Sequence, residues 1–256
     1  ISISSLIKVL NDFRPNLVSV MAANNETGII QPWSEVRNLC REAKVPFHCD
    51  ATQWLGRLPS NELGSCDFLS GSFHKLGGPK GVGFLLAPEG ETMRLMTGGE
   101  QEDGMRAGTE NLPAIFSASA ALDVAMSEVS DGANRDRFES RVRQLVPEAE
   151  ILGPETLRLP MVSSLLLPVF ENIRWVNRMD RLGFAISTGS ACATGQEGPS
   201  HVLAAMRRSP EEAHRVVRVS GGWSNEPADW DALADAFGIV FEELCAEDGD
   251  SQAIAL

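Results

Sequence analysis

Short apolar runs alternate along this chain with stretches of helical periodicity. That alternation confines it to an α/β architecture with a mostly parallel sheet. Leu17 to Ala22 reads as a buried strand, and Trp33 to Ala43 as an amphipathic helix with Val36, Leu39 and Cys40 on one face. Phe47 to Cys49, Asp67 to Leu69 and Val82 to Leu86 read as short strands. Asn111 to Val129 is Ala-rich with helical periodicity, and Pro113 suits its first turn. The first polar break after it is Asp131-Gly132-Ala133-Asn134, so a boundary is expected between a domain over 1–130 and a second over 131–256. Beyond it the pattern predicts a charged helix (Arg135 to Leu145), a strand (Ser163 to Leu167) and a helix (Ile173 to Leu182). A strand from Phe184 to Ile186, a helix from Ser200 to Met206, a strand from Val216 to Ser220 and a helix from Pro227 to Cys245 complete it. Asn225 suits the N-cap of that last helix, and the acidic tail Glu247 to Asp250 is expected to fray.

The 256 residues, 43% hydrophobic, are enough to bury a sizeable core. A net charge of −13 argues against nucleic acid or an anionic membrane surface as partner. No apolar run approaches the roughly 20 residues of a membrane span. Cys40, Cys49, Cys66, Cys192 and Cys245 show no metal-binding spacing, and their odd count and wide scatter suggest reduced thiols in a cytoplasmic setting. No metal site is expected.

Three segments carry chemistry. In Ser70-Gly71-Ser72-Phe73-His74-Lys75 a lysine follows an apolar run and stands beside a histidine and small hydroxyl residues. Lysine condenses with carbonyls, and a short strand that delivers it to a Ser/His pocket is how pyridoxal phosphate (PLP) is held covalently. A surface lysine is the bland rival. In His48-Cys49-Asp50-Ala51-Thr52-Gln53, Asp50 falls at the carboxyl end of a strand, where open α/β sheets place ligands. A carboxylate there can pair with a protonated pyridine nitrogen; a helix N-cap is the rival reading. In Ser187-Thr188-Gly189-Ser190-Ala191-Cys192-Ala193-Thr194-Gly195 a single cysteine sits in a Gly/Ser/Thr-rich loop, which suits a nucleophile; a small buried hydrophobe is its rival.

Together these segments resemble the cysteine desulfurases, PLP enzymes of the class V aminotransferase family with the type I fold. Asn24-Asn25-Glu26-Thr27-Gly28 resembles the family's Asn-Asn-Glu-x-Gly, and His48-Cys49-Asp50-Ala51-Thr52-Gln53 its His-x-Asp-Ala-x-Gln. Ser72-Phe73-His74-Lys75 resembles Ser-Gly-His-Lys, and Arg106-Ala107-Gly108-Thr109-Glu110-Asn111 resembles Arg-Ser-Gly-Thr-Glu-Asn. Ser190-Ala191-Cys192 and Arg218-Val219-Ser220 resemble Ser-Ala-Cys and Arg-Phe-Ser. The motifs stand in the family's order and cover nearly the whole chain.

The resemblance implies a PLP-binding large domain with a mostly parallel sheet, incomplete here, and a smaller α+β C-terminal domain that carries the cysteine loop. It implies that Lys75 binds PLP and moves the substrate's α-proton. Asp50 holds the pyridine nitrogen protonated, Gln53 and Asn25 reach the phenolic oxygen or the substrate, and Ser72 and His74 reach the phosphate. Thr109 reaches the phosphate of a neighbouring subunit, so a homodimer is implied. Arg218 forks the carboxylate of L-cysteine. Cys192 as thiolate takes the sulfur as a persulfide, releases alanine, and passes the sulfur to an acceptor or scaffold protein. Arg218 as a structural ion pair is the rival for that residue, while His201 and His214 lie in no motif and Cys40, Cys49, Cys66 and Cys245 read as packing.

Several positions depart from the pattern. Phe73 replaces the usual Gly, Asp103 stands where an Arg is common, and Gly222-Trp223 follows Arg218-Val219-Ser220 where Gly-Arg is common. The stretch Ala193 to Gly198 matches the long-loop desulfurases, which mostly serve iron–sulfur assembly. Two motifs expected upstream are absent: a Gly-Ala-Thr phosphate loop and a histidine that stacks on the PLP ring. Roughly the first third of the family pattern is therefore missing, and the chain as written is expected to hold PLP poorly. A selenocysteine lyase shares almost every motif and is the alternative. An inactive partner-binding homologue and a PLP transaminase complete the alternatives, the last having no use for Cys192.

Overall fold

The computed structural model describes residues 1–88, 94, 96–127, 130–189 and 200–254. The chain divides into two units, one of residues 1–24 and 30–129, the other of residues 25–29 and 130–256.

In the first unit, β1 (Val18–Met21), β2 (Phe47–Asp50) and β3 (Phe68–Ser72) are parallel, and β4 (Gly83–Leu86) closes the sheet antiparallel to β3. Period-two alternation sets the two faces of β2: Phe47 and Cys49 are fully buried, while His48 and Asp50 are half-buried on the other face. Burying Phe47 stabilises by about 1.5–3 kcal/mol. β1 is less buried than its sequence suggests: Val20 is buried, Val18 is half-buried, and Ser19 and Met21 are exposed. Helix α1 (Ile3–Phe13), absent from the sequence reading, opens the unit, with Ser2 accepting from the Ser5 N–H as N-cap. Ile3, Leu6 and Leu10 form its inner stripe. Helix α2 (Trp33–Ala43) buries Trp33, Val36 and Cys40 and ends at Lys44 in the left-handed region. Helix α3 (Leu112–Ser127) completes the unit. β3 runs further than the apolar run, through Ser72, and passes directly into a 3₁₀ turn over Phe73–Lys75.

The second unit has an antiparallel sheet of β5 (Glu150–Ile151), β6 (Val162–Leu166) and β7 (Val216–Ser220), ordered in sequence. Helices α4 (Ala133–Leu145), α5 (Asn172–Arg181), α6 (His201–Ala205), α7 (Pro210–Ala213) and α8 (Pro227–Ile254) accompany it. Phe138 of α4 meets Phe237 and Trp230 of α8 edge-on at 5.7 Å, and Trp175 of α5 is fully buried beside them. Glu139 and Arg158 form a buried two-bond pair at 2.5 and 2.9 Å, and Ser163 donates to the same carboxylate at 2.7 Å. No helix among the described residues is long and apolar enough to cross a membrane.

Three local expectations are corrected. The tail Glu247 to Asp250 continues α8 instead of fraying. Asn225 does not cap that helix; its Oδ1 accepts from the Gly222 N–H at 2.8 Å and closes a turn ahead of it. Phe184 to Ile186 forms no strand, and pairing there is confined to one bridge between Ser187 and Arg218.

Candidate functional site

In the first unit the strand register gathers the chemistry at the carboxyl ends of β2 and β3. Asp50 stands opposite Met21 on one side and Ser70 on the other. Its carbonyl accepts from Ala22 N–H at 2.8 Å, and the next residue, Ala51, donates to Ser70 O at 2.9 Å. Its carboxylate Oδ1 accepts from Thr52 N–H at 2.9 Å, which fixes the side chain at the mouth of the turn that follows. This is an Asp-led turn, not a helix N-cap.

β3 delivers the next group. Ser72 Oγ and His74 Nδ1 are 2.7 Å apart across the 3₁₀ turn, with His74 exposed and Lys75 half-buried. Gly78 packs its backbone on the same turn: its N–H donates to Phe73 O at 2.9 Å, and a Cβ there would stand 2.8 Å from Phe73 Cβ. The turn is thus locked from both ends, with the lysine at its close.

His48 is a structural member of the same strand end. Its ring bridges Ser19 Oγ (Nδ1, 2.7 Å) and Ser70 Oγ (Nε2, 2.9 Å), so it pins β1, β2 and β3 on the face that carries Asp50. The spacing of two from Asp50 was the available signal. The other face holds thiols. Cys49 donates to Cys66, and that bond with burial pushes the Cys49 thiol above its ordinary range. The same bond, helped by Arg37 and Arg41, lowers Cys66. Cys40 is raised by burial, and Cys40, Cys49 and Cys66 are all buried, as a packing role requires; Cys245 instead is exposed. Among the described residues no group of His, Cys, Asp or Glu could hold a metal.

Thr109 lies in the first unit and is exposed. No hydrogen bond ties it to Ser72, His74 or Lys75 among the described residues.

In the second unit Arg218 sits at the middle of β7, opposite Ser164 of β6 and bridged to Ser187. Its Nη1 donates to Asn25 O at 2.9 Å and Gly189 O at 3.0 Å. The backbone carbonyls of Asn25 and Gly189 thus help hold the Arg218 guanidinium in place. Ser164 is buried with its hydroxyl unpartnered among the described residues. Glu26, 4% exposed, accepts from Ser200 Oγ at 2.6 Å. Asn25 and Arg218 are therefore brought together. Cys192 lies outside the described residues.

The donor set of the first unit fits PLP. A fixed carboxylate suits a pyridine N–H, a hydroxyl–imidazole pair suits a phosphate, and a lysine on a locked turn suits the aldehyde carbon.

Comparison with known proteins places these observations in a family. The model of a family described as aminotransferase class-V matches residues 1–233. A cysteine desulfurase of Gluconacetobacter diazotrophicus is 38% identical over 90% of this chain and 60% of its own length. The cysteine desulfurase IscS of Dictyoglomus turgidum is 36% identical over 89% of this chain and 60% of its own length. A NifS-like protein from Rickettsia africae superposes with TM-score 0.84 at 26% identity, covering 94% of this chain and 67% of its own. SspA, solved in complex with cysteine, gives TM-score 0.65 at 32% identity, covering 86% of this chain and 62% of its own. The chain spans about 60% of the length of these curated relatives.

Proposed function

The chain belongs to the aminotransferase class-V family, and on that premise we propose that it works as a PLP-dependent L-cysteine desulfurase that leaves a persulfide on Cys192. Its fold is the PLP-dependent transferase fold type I. The observation that carries the reading is the register that sets Asp50 one strand away from the Ser72-Phe73-His74-Lys75 turn. The curated relatives named cysteine desulfurase support the reaction, and the solved complex of SspA with cysteine supports the substrate.

PLP, when bound, supplies the electron sink that lets bonds at the substrate's Cα and Cβ break. The chain's own residues do the rest. Asp50 holds the proton on the pyridine nitrogen, and Ser72 and His74 hold the phosphate. Lys75 anchors the cofactor through its amine and carries the proton taken from the substrate's Cα. Gln53 and Asn25 supply side-chain amides to the phenolic oxygen or the substrate. Arg218 receives the substrate carboxylate. The Cys192 thiolate attacks the substrate sulfur, an S–S bond forms, and the Cβ–S bond breaks. L-cysteine and the enzyme thiol become L-alanine and an enzyme persulfide, with no outside oxidant.

The finer reading is that the persulfide sulfur passes to an acceptor protein in iron–sulfur assembly. The length of the stretch from Ala193 to Gly198 and the relative named IscS support it. We read Thr109 as a contact to the neighbour's phosphate in a homodimer, which its exposure supports. Free thiols at Cys40, Cys49, Cys66 and Cys245 support a reducing, cytoplasmic setting. The test is PLP-loaded protein given L-cysteine. Alanine should appear, and the peptide containing Cys192 should gain one sulfur by mass spectrometry. Sulfur on Cys49 or Cys245 with none on Cys192 overturns the assignment.

A further inference from the structure

Arg57 stands on the turn that follows Asp50, and its guanidinium spans two chain segments. Nη1 donates to the carbonyl of Gln53 at 3.0 Å, and Nη2 to the carbonyl of Lys75 at 2.8 Å. These are the carbonyls of two residues that the proposed function places on PLP. The preceding residue makes the approach possible. Gly56 has φ +70°, and a Cβ there would stand 2.7 Å from Ala125 Cβ and 3.2 Å from Leu76 Cβ. Leu76, the residue after Lys75, is buried in the same core as Leu55 and Ala125. The Gly56-Arg57 pair is therefore the surface on which Lys75-Leu76 docks: the glycine gives room, and the arginine gives the bonds.

The energetics are unusual for a stem-and-solvent arginine. Burial pulls the Arg57 pKa below its ordinary value. Among the described residues no carboxylate pairs with it. Its charge is met by carbonyl dipoles, and a planar guanidinium presents N–H donors in a fixed fork that reaches two separate carbonyls at once. A partly desolvated cation is costly to keep without a counter-ion, so the two bonds must return that cost.

We propose that Arg57 is a positioning residue that couples the Asp50–Gln53 turn to the lysine-bearing turn, so that Lys75 is presented to PLP at a fixed distance from Gln53. This deepens the function proposed above and rests on it. In this role Arg57 touches neither cofactor nor substrate; it acts through the backbone of Gln53 and Lys75.

The experiment compares wild type, Arg57→Lys and Arg57→Ala as PLP-loaded proteins. Borohydride reduction and peptide mass spectrometry first establish PLP on Lys75 in the wild type. The PLP release rate and the thermal midpoints with and without PLP are then measured. Loss of charge-assisted bonds should speed PLP release about ten- to hundredfold in Arg57→Ala. Arg57→Lys keeps the charge and one bond, and should fall between. PLP should stabilise Arg57→Ala less than wild type, whereas a merely structural arginine lowers both midpoints together. Wild-type release from a folded Arg57→Ala, with Lys75 labelled in the wild type, overturns this inference alone. If Arg57→Ala does not fold, wild-type release from Arg57→Lys overturns it. A wild type with no PLP on Lys75 overturns the function proposed above, and this inference with it.

Discussion

Ser200 Oγ donates to Oε2 of Glu26 at 2.6 Å, and the same hydroxyl accepts from Leu203 N–H at 3.2 Å as the N-cap of α6. One side chain thus serves a buried carboxylate and a helix start. Gly189 lies nearby: a Cβ on it would stand 3.5 Å from the same Oε2. Its carbonyl is held by Arg218. The Asn25-Glu26 dipeptide therefore ties both Gly189 and Ser200, one through Arg218 and the other directly.

Ser200→Ala should lose the cap and a partner of a buried carboxylate. The expected cost is about 1–3 kcal/mol in denaturant unfolding. Ser200→Thr keeps the hydroxyl and should recover most of it. Equal midpoints for wild type and Ser200→Ala would show that the bond contributes nothing.

Arg158 and Glu139 are buried together, with side chains 5% and 9% exposed. Arg158→Ala leaves the Glu139 charge without its partner and should cost about 3–5 kcal/mol. Replacing both, as Arg158→Met with Glu139→Leu, should cost markedly less, because no charge is then left buried alone. Chemical denaturation of the single and double variants measures the difference.

Gly28 has φ +72°, and a Cβ there would stand 2.9 Å from Val162 Cβ. Its carbonyl accepts from Leu159 N–H at 2.8 Å, so the backbone cannot withdraw freely. Gly28→Ala should lower stability by about 1–3 kcal/mol, from strain and crowding together. A thermal midpoint equal to wild type contradicts this.

On the proposed function, Cys192→Ala separates cofactor binding from sulfur transfer. The PLP absorbance should stay nearly unchanged, because the thiol is no cofactor ligand. Sulfide release from L-cysteine should fall by orders of magnitude, because no thiolate accepts the sulfur. Full turnover in the variant would remove Cys192 from the mechanism. Lys75→Ala in parallel should lose both signals.

Much of the secondary structure was legible because its signals are local. Helix α2 has the bounds its periodicity gave, since the apolar stripe of Val36 and Cys40 must face one way. The run from Phe47 names β2, and Lys75 follows a strand as its flanks implied. Helix α1 has a local signal too, in Ser2 and the spacing of Ile3, Leu6 and Leu10. Asn225 failed as a cap because a nearer backbone N–H, that of Gly222, competed for its side chain.

The sequence by itself determined which groups are present: a lysine after a strand, a carboxylate at a strand end, a cysteine among glycines, an arginine among valines. Tertiary structure decided their partners. Residues 25–29 leave one unit and join the other, closed behind by the Ala23–Ile30 bridge. Arg218 meets Asn25 across 193 residues, Ser200 meets Glu26 across 174, and Arg57 meets Lys75 across 18. Periodicity and capping act within a few residues along the chain, so they carry no trace of such pairings. Strand register and the burial of polar groups that must find partners set them instead, and both exist only once the chain has folded.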